Sequence, residues 1–340
     1  MSQVFVLGDA NIDVIMPIDD YPQPGGDKRS ERAVIHAGGS AANTALALAR
    51  LGFAPSLLAC LGQDLPGDML RQELERGGLN LSHLQVSASA GTGMMFVPVT
   101  PDGQRTLFGR RGANLVLRPE GLPLNAIGRS RALHLSGYAF LEGSQAQTAR
   151  AALEAAKQGD AFVSLDTAYE PAFLAGDRLR EILGQVDLLV LGQAEANRLS
   201  GQTDLEATLD WLLEQGVGQV GLKLGAKGSV LAGPTERIHL PAFKVQVVDT
   251  TGAGDNYSAG LLAGHLLGLN PAAAGVLATA IAGLSTTVWG AGNAPPGIAD
   301  LATLIRTQGK SQPDPSLVQA ADQVLATLSE FKLATEPGAG

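Results

Sequence analysis

Cysteine occurs once, at Cys60, so no disulfide can form within the chain, and a reducing compartment, the cytoplasm, is the expected setting. Aromatic residues supply only 4% and charged residues 17% of the 340 positions. Neither scarcity means disorder, because 45% of residues are hydrophobic, enough for one large core or a core with a small appendage. Basic residues are outnumbered, 24 Lys and Arg against 33 Asp and Glu, for a net charge of −9. That balance leaves no electrostatic footprint for nucleic acid. The start, Met1-Ser2-Gln3-Val4, has no basic leader and only a strand-length apolar run, so no signal peptide is expected. His36, His83, His134, His239 and His265 lack metal-ligand spacing and read as satisfied structural residues. No Gly-x-Ser-x-Gly elbow occurs, which removes α/β-hydrolase chemistry. Gly309-Lys310-Ser311 mimics the end of a P-loop, but Leu304 stands where its first glycine belongs; Gly252-x-Gly254 mimics a dinucleotide fingerprint, but Tyr257 takes the third glycine position.

Charge is absent altogether from Asn256 through Ala299. Within that stretch Ala272 to Val288 is long enough to raise a membrane span. Ala, Gly and Thr dominate it, so the reading is a pair of helices buried on all sides, with no membrane partner.

What is present centres on Asp249-Thr250-Thr251-Gly252-Ala253-Gly254-Asp255. The apolar, β-branched run Phe243 to Val248 predicts a strand leading into the glycines. From Asp255 onward Tyr257, Leu261, Leu262, Leu266 and Leu267 are spaced for one helix face. Glycines at such a turn let a ligand approach the backbone, and the free amides of a helix start attract an anion. Asp255 alone would be an ordinary cap. Among anion-binding amides, a carboxylate can hold a hydroxyl beside a phosphate and accept its proton, as phosphoryl transfer to an alcohol requires.

Elsewhere Val4 to Leu7 reads as a buried strand with Asn11 and Asp13 in the polar segment past its end, where open α/β sheets place ligands. Asp19 to Arg32 is rich in Pro, Gly and charge. Ala37-Gly38-Gly39-Ser40-Ala41-Ala42-Asn43 opens a helix that runs to about Leu51. Thr92 to Val99 and Arg105 to Phe108, around Pro101-Asp102-Gly103, predict a hairpin; Arg105, Arg110 and Arg111 read as solvated charges. Strands at Ala132–Leu135, Ala161–Leu165, Asp187–Leu191 and Gln219–Leu224 alternate with helices such as Ser144–Lys157 and Leu205–Glu214, which means a parallel sheet covered on both faces. Pro315 to Phe331 reads as an added amphipathic helix before a loose tail.

Residues 249–255 closely resemble the C-terminal motif of the ribokinase-like (PfkB) carbohydrate kinases, Asp-Thr-x-Gly-Ala-Gly-Asp. Gly38, Gly39, Asn43 and Ala45 match that family's N-terminal Gly-Gly-x-x-x-Asn-x-Ala, and the ordered set of motifs spans about residues 1–305. The resemblance implies a mostly parallel α/β sheet plus a small β lid. Its divisions are 1–13, 34–90 and 114–310 for the large domain, 14–33 and 91–113 for the lid, and 311–340 for a C-terminal helix and tail. It implies ATP with magnesium, a small sugar as acceptor, and a homodimer through the lid. By carry-over Asp255 is the base and the amides of Gly252, Ala253, Gly254 and Asp255 form the anion hole. Asp13, with Asn11 beside it, and Gly38, Gly39 and Asn43 bind the sugar. Gly225 and Gly228, with Lys223 before them, lie beside the nucleotide, and the loop carrying Asn293 closes over adenine. With that loop Asp249 and Thr251 form a monovalent-cation site in many members, so potassium is a candidate activator. Glu195 orders magnesium water, but Gly192 stands where the family has Asn; Asn256 and Tyr257 depart mildly from its Ser or Thr and Phe. Beyond Asp166 the fructokinase-type Asp-x-Asn-x-Arg is missing, which counts against those substrates. An adenosine-type nucleoside kinase and a non-catalytic sugar-binding or regulatory homologue remain as alternatives.

Overall fold

Val4–Leu7 (β1) is buried on both sides, Val4 and Val6 packing into one hydrophobic core and Phe5 and Leu7 into the other. That two-sided burial is why the strand reads as continuously apolar. The structure, a computed structural model, describes residues 4–102, 105–290, 297–309 and 314–335. In chain order the remaining strands are Asn11–Pro17 (β2), Val34–Gly38 (β3), Ser56–Leu58 (β4), Cys60–Gly62 (β5), Gln85–Ser87 (β6), Gly93–Val99 (β7), Phe108–Arg110 (β8), Ala132–Ser136 (β9), Phe162–Asp166 (β10), Leu188–Gly192 (β11), Gln219–Lys223 (β12), Ser229–Ala232 (β13) and Arg237–Leu240 (β14). Eight form one sheet in the order β14-β13-β12-β11-β10-β9-β1-β4. Its pairs are parallel from β4 through β12; β13 runs against them, and β14, antiparallel to β13, restores their direction. A mostly parallel sheet with helices on both faces and a separate small sheet is therefore the fold, as expected.

Through its two helices the charge-free stretch is core. Helices Ala253–Leu266 and Pro271–Ser285 are buried almost throughout, and a Cβ on Gly264 would lie 2.8 Å from Ala274 Cα. Helices this close exclude long charged side chains. Among the described residues no helix is long and apolar enough to cross a membrane.

The small sheet has the order β3-β2-β7-β8. Its register puts Asp13 opposite His36 on the face toward the large sheet, and Val14 opposite Ile35 and Phe96 on the outer face. Val34–Gly38, assigned from sequence to the large domain, pairs antiparallel with β2 here. The Pro- and Gly-rich excursion before it makes a long return loop, not an exit from the small sheet. The hairpin is also displaced: Arg105 makes only an isolated bridge to Val99, and the partner strand starts at Phe108. The expected strand Phe243 to Val248 does not form. Gln308 satisfies the Lys244 amide and carbonyl from its side chain, and the Val248 and Asp249 amides both donate to Thr286 O. With those groups met, β-branched residues run irregularly past the helices.

Four chain crossings join the two sheets, and they meet in one place. Asp9 accepts a bidentate pair of bonds from Arg111 at 2.8 and 2.9 Å, and Gln145 Nε2 donates to the same carboxylate at 2.9 Å. Asn114 takes the Ala10 amide on Oδ1 and donates to Asn11 Oδ1. The Ala113 amide donates to Gly91 O at 2.8 Å, and the Ala42 amide to Asp9 O at 3.3 Å. Arg111 is thus a buried ion-pair partner and not a solvated charge; Asp9, just past a buried strand, required a cation that sequence reading did not identify.

Candidate active site

Gly252 caps the Ala253–Leu266 helix in the left-handed region, φ 70° and ψ 4°. That conformation favours glycine and aims the first helical amides at open space. The Asn256 amide already donates to Gly252 O, and the Ala253 amide turns back to Thr250 O at 3.3 Å. Gly252, Gly254 and Asp255 therefore keep amides without an intrahelical acceptor, while Ala253, expected as a full member of the anion hole, is partly spent.

The Asp255 side chain meets the N-terminal motif. Ser40 Oγ donates to its Oδ1 and Asn43 Nδ2 to its Oδ2, each at 2.8 Å. Burial raises the Asp255 pKa to about 6, helped by the negative charge of Asp166 and opposed by the Asn43 and Ser40 hydrogen bonds and by Lys223. At neutral pH the group is ionised and ready to take a proton. Asp13 is more perturbed: burial, then repulsion from Asp255, Glu73 and Asp249, pushes it up to about 7. Its carboxylate lies over Gly38 Cα, where any Cβ would overlap it. Asp13 Oδ1 and Asn43 Oδ1 are both buried with no partner. Gly39, at φ 94°, leads straight into the helix that carries Ser40 and Asn43. Two unpaired acceptors beside a basic carboxylate suit the hydroxyls of a polyol.

Not every candidate faces this space. Asn11 Oδ1 is used by Asn114, so that atom belongs to the junction between the sheets. Gly228 is a packing position, since a Cβ there would strike Leu240 O, while Gly225 faces open space. Glu195 Oε2 accepts from the Gly192 amide at 2.6 Å and from Thr167 Oγ1 at 3.0 Å, capping the Gln193–Ser200 helix. Asp249 holds a loop: Oδ1 accepts from the Thr251 amide and hydroxyl, and Oδ2 from the Gly290 amide. Asn293 lies outside the described residues. Arg105 Nη1 reaches from beside the small sheet to Thr250 Oγ1 at 2.8 Å.

Two histidines depart from the satisfied structural role. Nε2 of His36 and of His134 is buried without a partner; burial lowers the His134 pKa to about 4 and keeps the ring neutral. Among the described residues no group of three His, Cys, Asp or Glu side chains is placed to hold a metal. Sequence reading also missed the Asp166–Lys223 pair, 2.9 Å apart, with Ser258 donating to Asp166 Oδ2 at 2.6 Å. Opposite charges at the carboxyl ends of buried strands were the available signal.

This geometry agrees with the comparisons to known proteins. The family model described as pfkB family carbohydrate kinase matches residues 1–297. A fructokinase from Klebsiella pneumoniae is 32% identical over 324 residues, spanning 88% of this chain and 98% of that protein. A nucleoside kinase from Methanothermobacter thermautotrophicus is 28% identical over 279 residues, 82% of this chain and 87% of that one. The solved structure of Arabidopsis thaliana ribokinase complexed with ribose and ATP is similar with a TM-score of 0.76 and 26% identity, covering 89% of this chain and 98% of that chain. With Asp255, Asn43 and the glycine turn gathered on a ribokinase-type sheet, the chain belongs to the pfkB family of carbohydrate kinases, which are ATP-dependent phosphotransferases.

Proposed function

We propose that this chain transfers the γ-phosphoryl group of ATP to a hydroxymethyl group of a small sugar, with Asp255 as general base. The observation that carries the reading is the meeting of Asp255 with Ser40 and Asn43, which joins a basic carboxylate at the start of the glycine-capped helix to the motif that holds an unpaired polar acceptor. Asp13, Asn43 and the Gly38-Gly39 backbone orient the sugar, with Asn11 bracing them from the junction. Fixing one hydroxyl beside the base supplies much of the rate, because attack geometry is set before the chemistry begins. Asp255 then accepts the hydroxyl proton, and the amides of Gly252, Gly254 and Asp255 meet the charge that builds on the phosphoryl oxygens.

Gly225 and Lys223 are the nucleotide contacts in this reading, with Gly228 shaping their turn from its packed position; the expected Asn293 contact lies outside the described residues. The donor set suits magnesium that arrives on phosphates: no protein cage exists among the described residues, and magnesium keeps several of its waters. Glu195 is the residue that would hold such a water; bound magnesium supplies neutralisation of phosphate charge. Potassium at Asp249 and Thr251 has its support in the family resemblance, since both Asp249 oxygens already serve the loop. A homodimer through the outer face of the small sheet is favoured by the exposed Ile35, Met94, Phe96 and Phe108.

A nucleoside acceptor is the second reading, favoured by the nucleoside kinase relative. One assay separates the cases: ADP release with ATP and magnesium over a panel of pentoses, hexoses and adenosine, with and without potassium. Asp255→Asn should bind sugar and ATP but lose turnover by roughly 10²- to 10⁴-fold. A parent protein silent on the whole panel, or an Asp255→Asn variant that turns over normally, removes the proposal.

A further inference from the structure

Lys223 ends β12, and its register partner on the adjoining strand is Gly192, which has no side chain. The ammonium donates to both oxygens of Asp166, at 2.9 and 3.1 Å. Asp166 is fixed in turn by the Ser258 hydroxyl on Oδ2 and by the Ala168 amide on Oδ1. The two partners are covered unequally: the Asp166 side chain is 3% exposed and that of Lys223 20%. What exposure the pair keeps is the lysine's.

The ammonium lies against the glycine turn. A Cβ built on Gly254 would stand 3.1 Å from Lys223 Nζ, so the ammonium flanks the first turn of the helix whose free amides form the anion hole. An anion seated on those amides therefore has a fixed positive charge beside it. A larger residue at 254 would require the ammonium to give by a few tenths of an ångström.

We propose that Lys223 binds the transferred phosphoryl group, and that Asp166 and Ser258 are positioning residues that hold the ammonium against Gly254. This inference rests on the kinase reading and gives it a further residue. In the transfer, the bond from the γ-phosphorus to the ADP oxygen breaks, the bond to the sugar oxygen forms, and the hydroxyl proton passes to Asp255. Lys223 exchanges no proton. Burial works against its charge, but Asp166 outweighs burial and holds the ammonium pKa above the ordinary lysine range. A preset cation costs no reorganisation as charge accumulates on the phosphoryl oxygens.

Removing Lys223 alone would strand a buried carboxylate, so the test is Lys223→Met combined with Asp166→Asn, which deletes both charges together. Phosphotransfer by the full chain is measured with magnesium ATP and with ribose, fructose or adenosine, whichever the parent accepts, beside a thermal melt. The expected double variant melts near the parent and keeps its sugar KM, while kcat falls about a hundredfold. Asp166→Asn alone should shift the acidic limb of kcat/KM to lower pH, because a charge opposing Asp255 ionisation is gone. A pair too far from Asp255 to meet the phosphoryl group it receives would leave that limb in place.

A folded double variant with parental kcat overturns the proposal. So does an unmoved acidic limb in Asp166→Asn, which decides the matter if the double variant does not fold. A loss of kcat matched by equal losses in sugar affinity and melting temperature assigns the pair to packing and overturns it as well. A parent inactive on every acceptor is a different failure, that of the kinase reading itself.

Discussion

Asn43 donates to Asp255 Oδ2 across 212 residues of sequence, while its own Oδ1 is buried with no partner. One amide group thus steadies the base and offers an acceptor to whatever hydroxyl comes beside it. The coupling makes the two motifs chemically inseparable.

Asn43→Ala should show that coupling in two measurements. Sugar KM should rise by roughly ten- to a hundredfold, the loss of one to two buried hydrogen bonds. The acidic limb of kcat/KM should also move above its parental position near pH 6, because the Asn43 bond is one of the contacts that lower the Asp255 pKa. A change in KM with an unmoved limb would break the link between them.

Asp13 should make the protein less stable as pH rises. Its folded pKa, about 7, lies above the ordinary value of 3.8, so the native state holds a proton that the unfolded chain has released. The resulting stability is present below about pH 4 and is lost as pH climbs through about 7. Asp13→Asn should flatten that decline in melting temperature between about pH 5 and 8 while weakening sugar binding. Parallel pH profiles for the two proteins would contradict it.

Light scattering on the eluting protein should give about twice the chain mass of 34.9 kDa. Phe108→Asp places a charge opposite Phe96 on the outer face of the small sheet and should yield a monomer. A monomeric parent would remove the homodimer.

The helix Pro315–Thr335 buries Leu317, Ala320, Ala321, Val324 and Leu328 in the core, and Phe331 packs on Phe53 at 5.1 Å. Leu328→Ala should cost about 2–5 kcal/mol of stability, read by denaturant melts, with kcat unchanged. A kcat loss without destabilisation would give the helix a catalytic part instead.

Much of this was legible before any coordinates. Alternating apolar strands and helices specify a covered parallel sheet, and the uncharged stretch after Asn256 states its own burial. The glycine turn before Asp255 was readable because left-handed geometry selects for glycine. Phe243 to Val248 misled because β-branched residues report a preference for extended backbone, not the presence of a partner strand. Val34–Gly38 was misassigned because a Pro- and Gly-rich loop gives no sign of which sheet the chain rejoins. The Asp9–Arg111 pair gave no sign of its partner and Asp166–Lys223 only a weak one, because each is made by folding, across 102 and 57 residues.

The junction of Asp9, Arg111, Asn114 and Gly91 has a mechanical consequence. Every strand that leaves the body for the small sheet, or returns from it, is tied within a few residues of the same spot. Strands moored together cannot peel apart one at a time, so the small sheet, Asp13 and His36 included, is joined to the body as one unit. Away from that spot the sheet is held a second time, by Trp289 packed on Ile15, Val97 and Val99 and by Arg105 on Thr250.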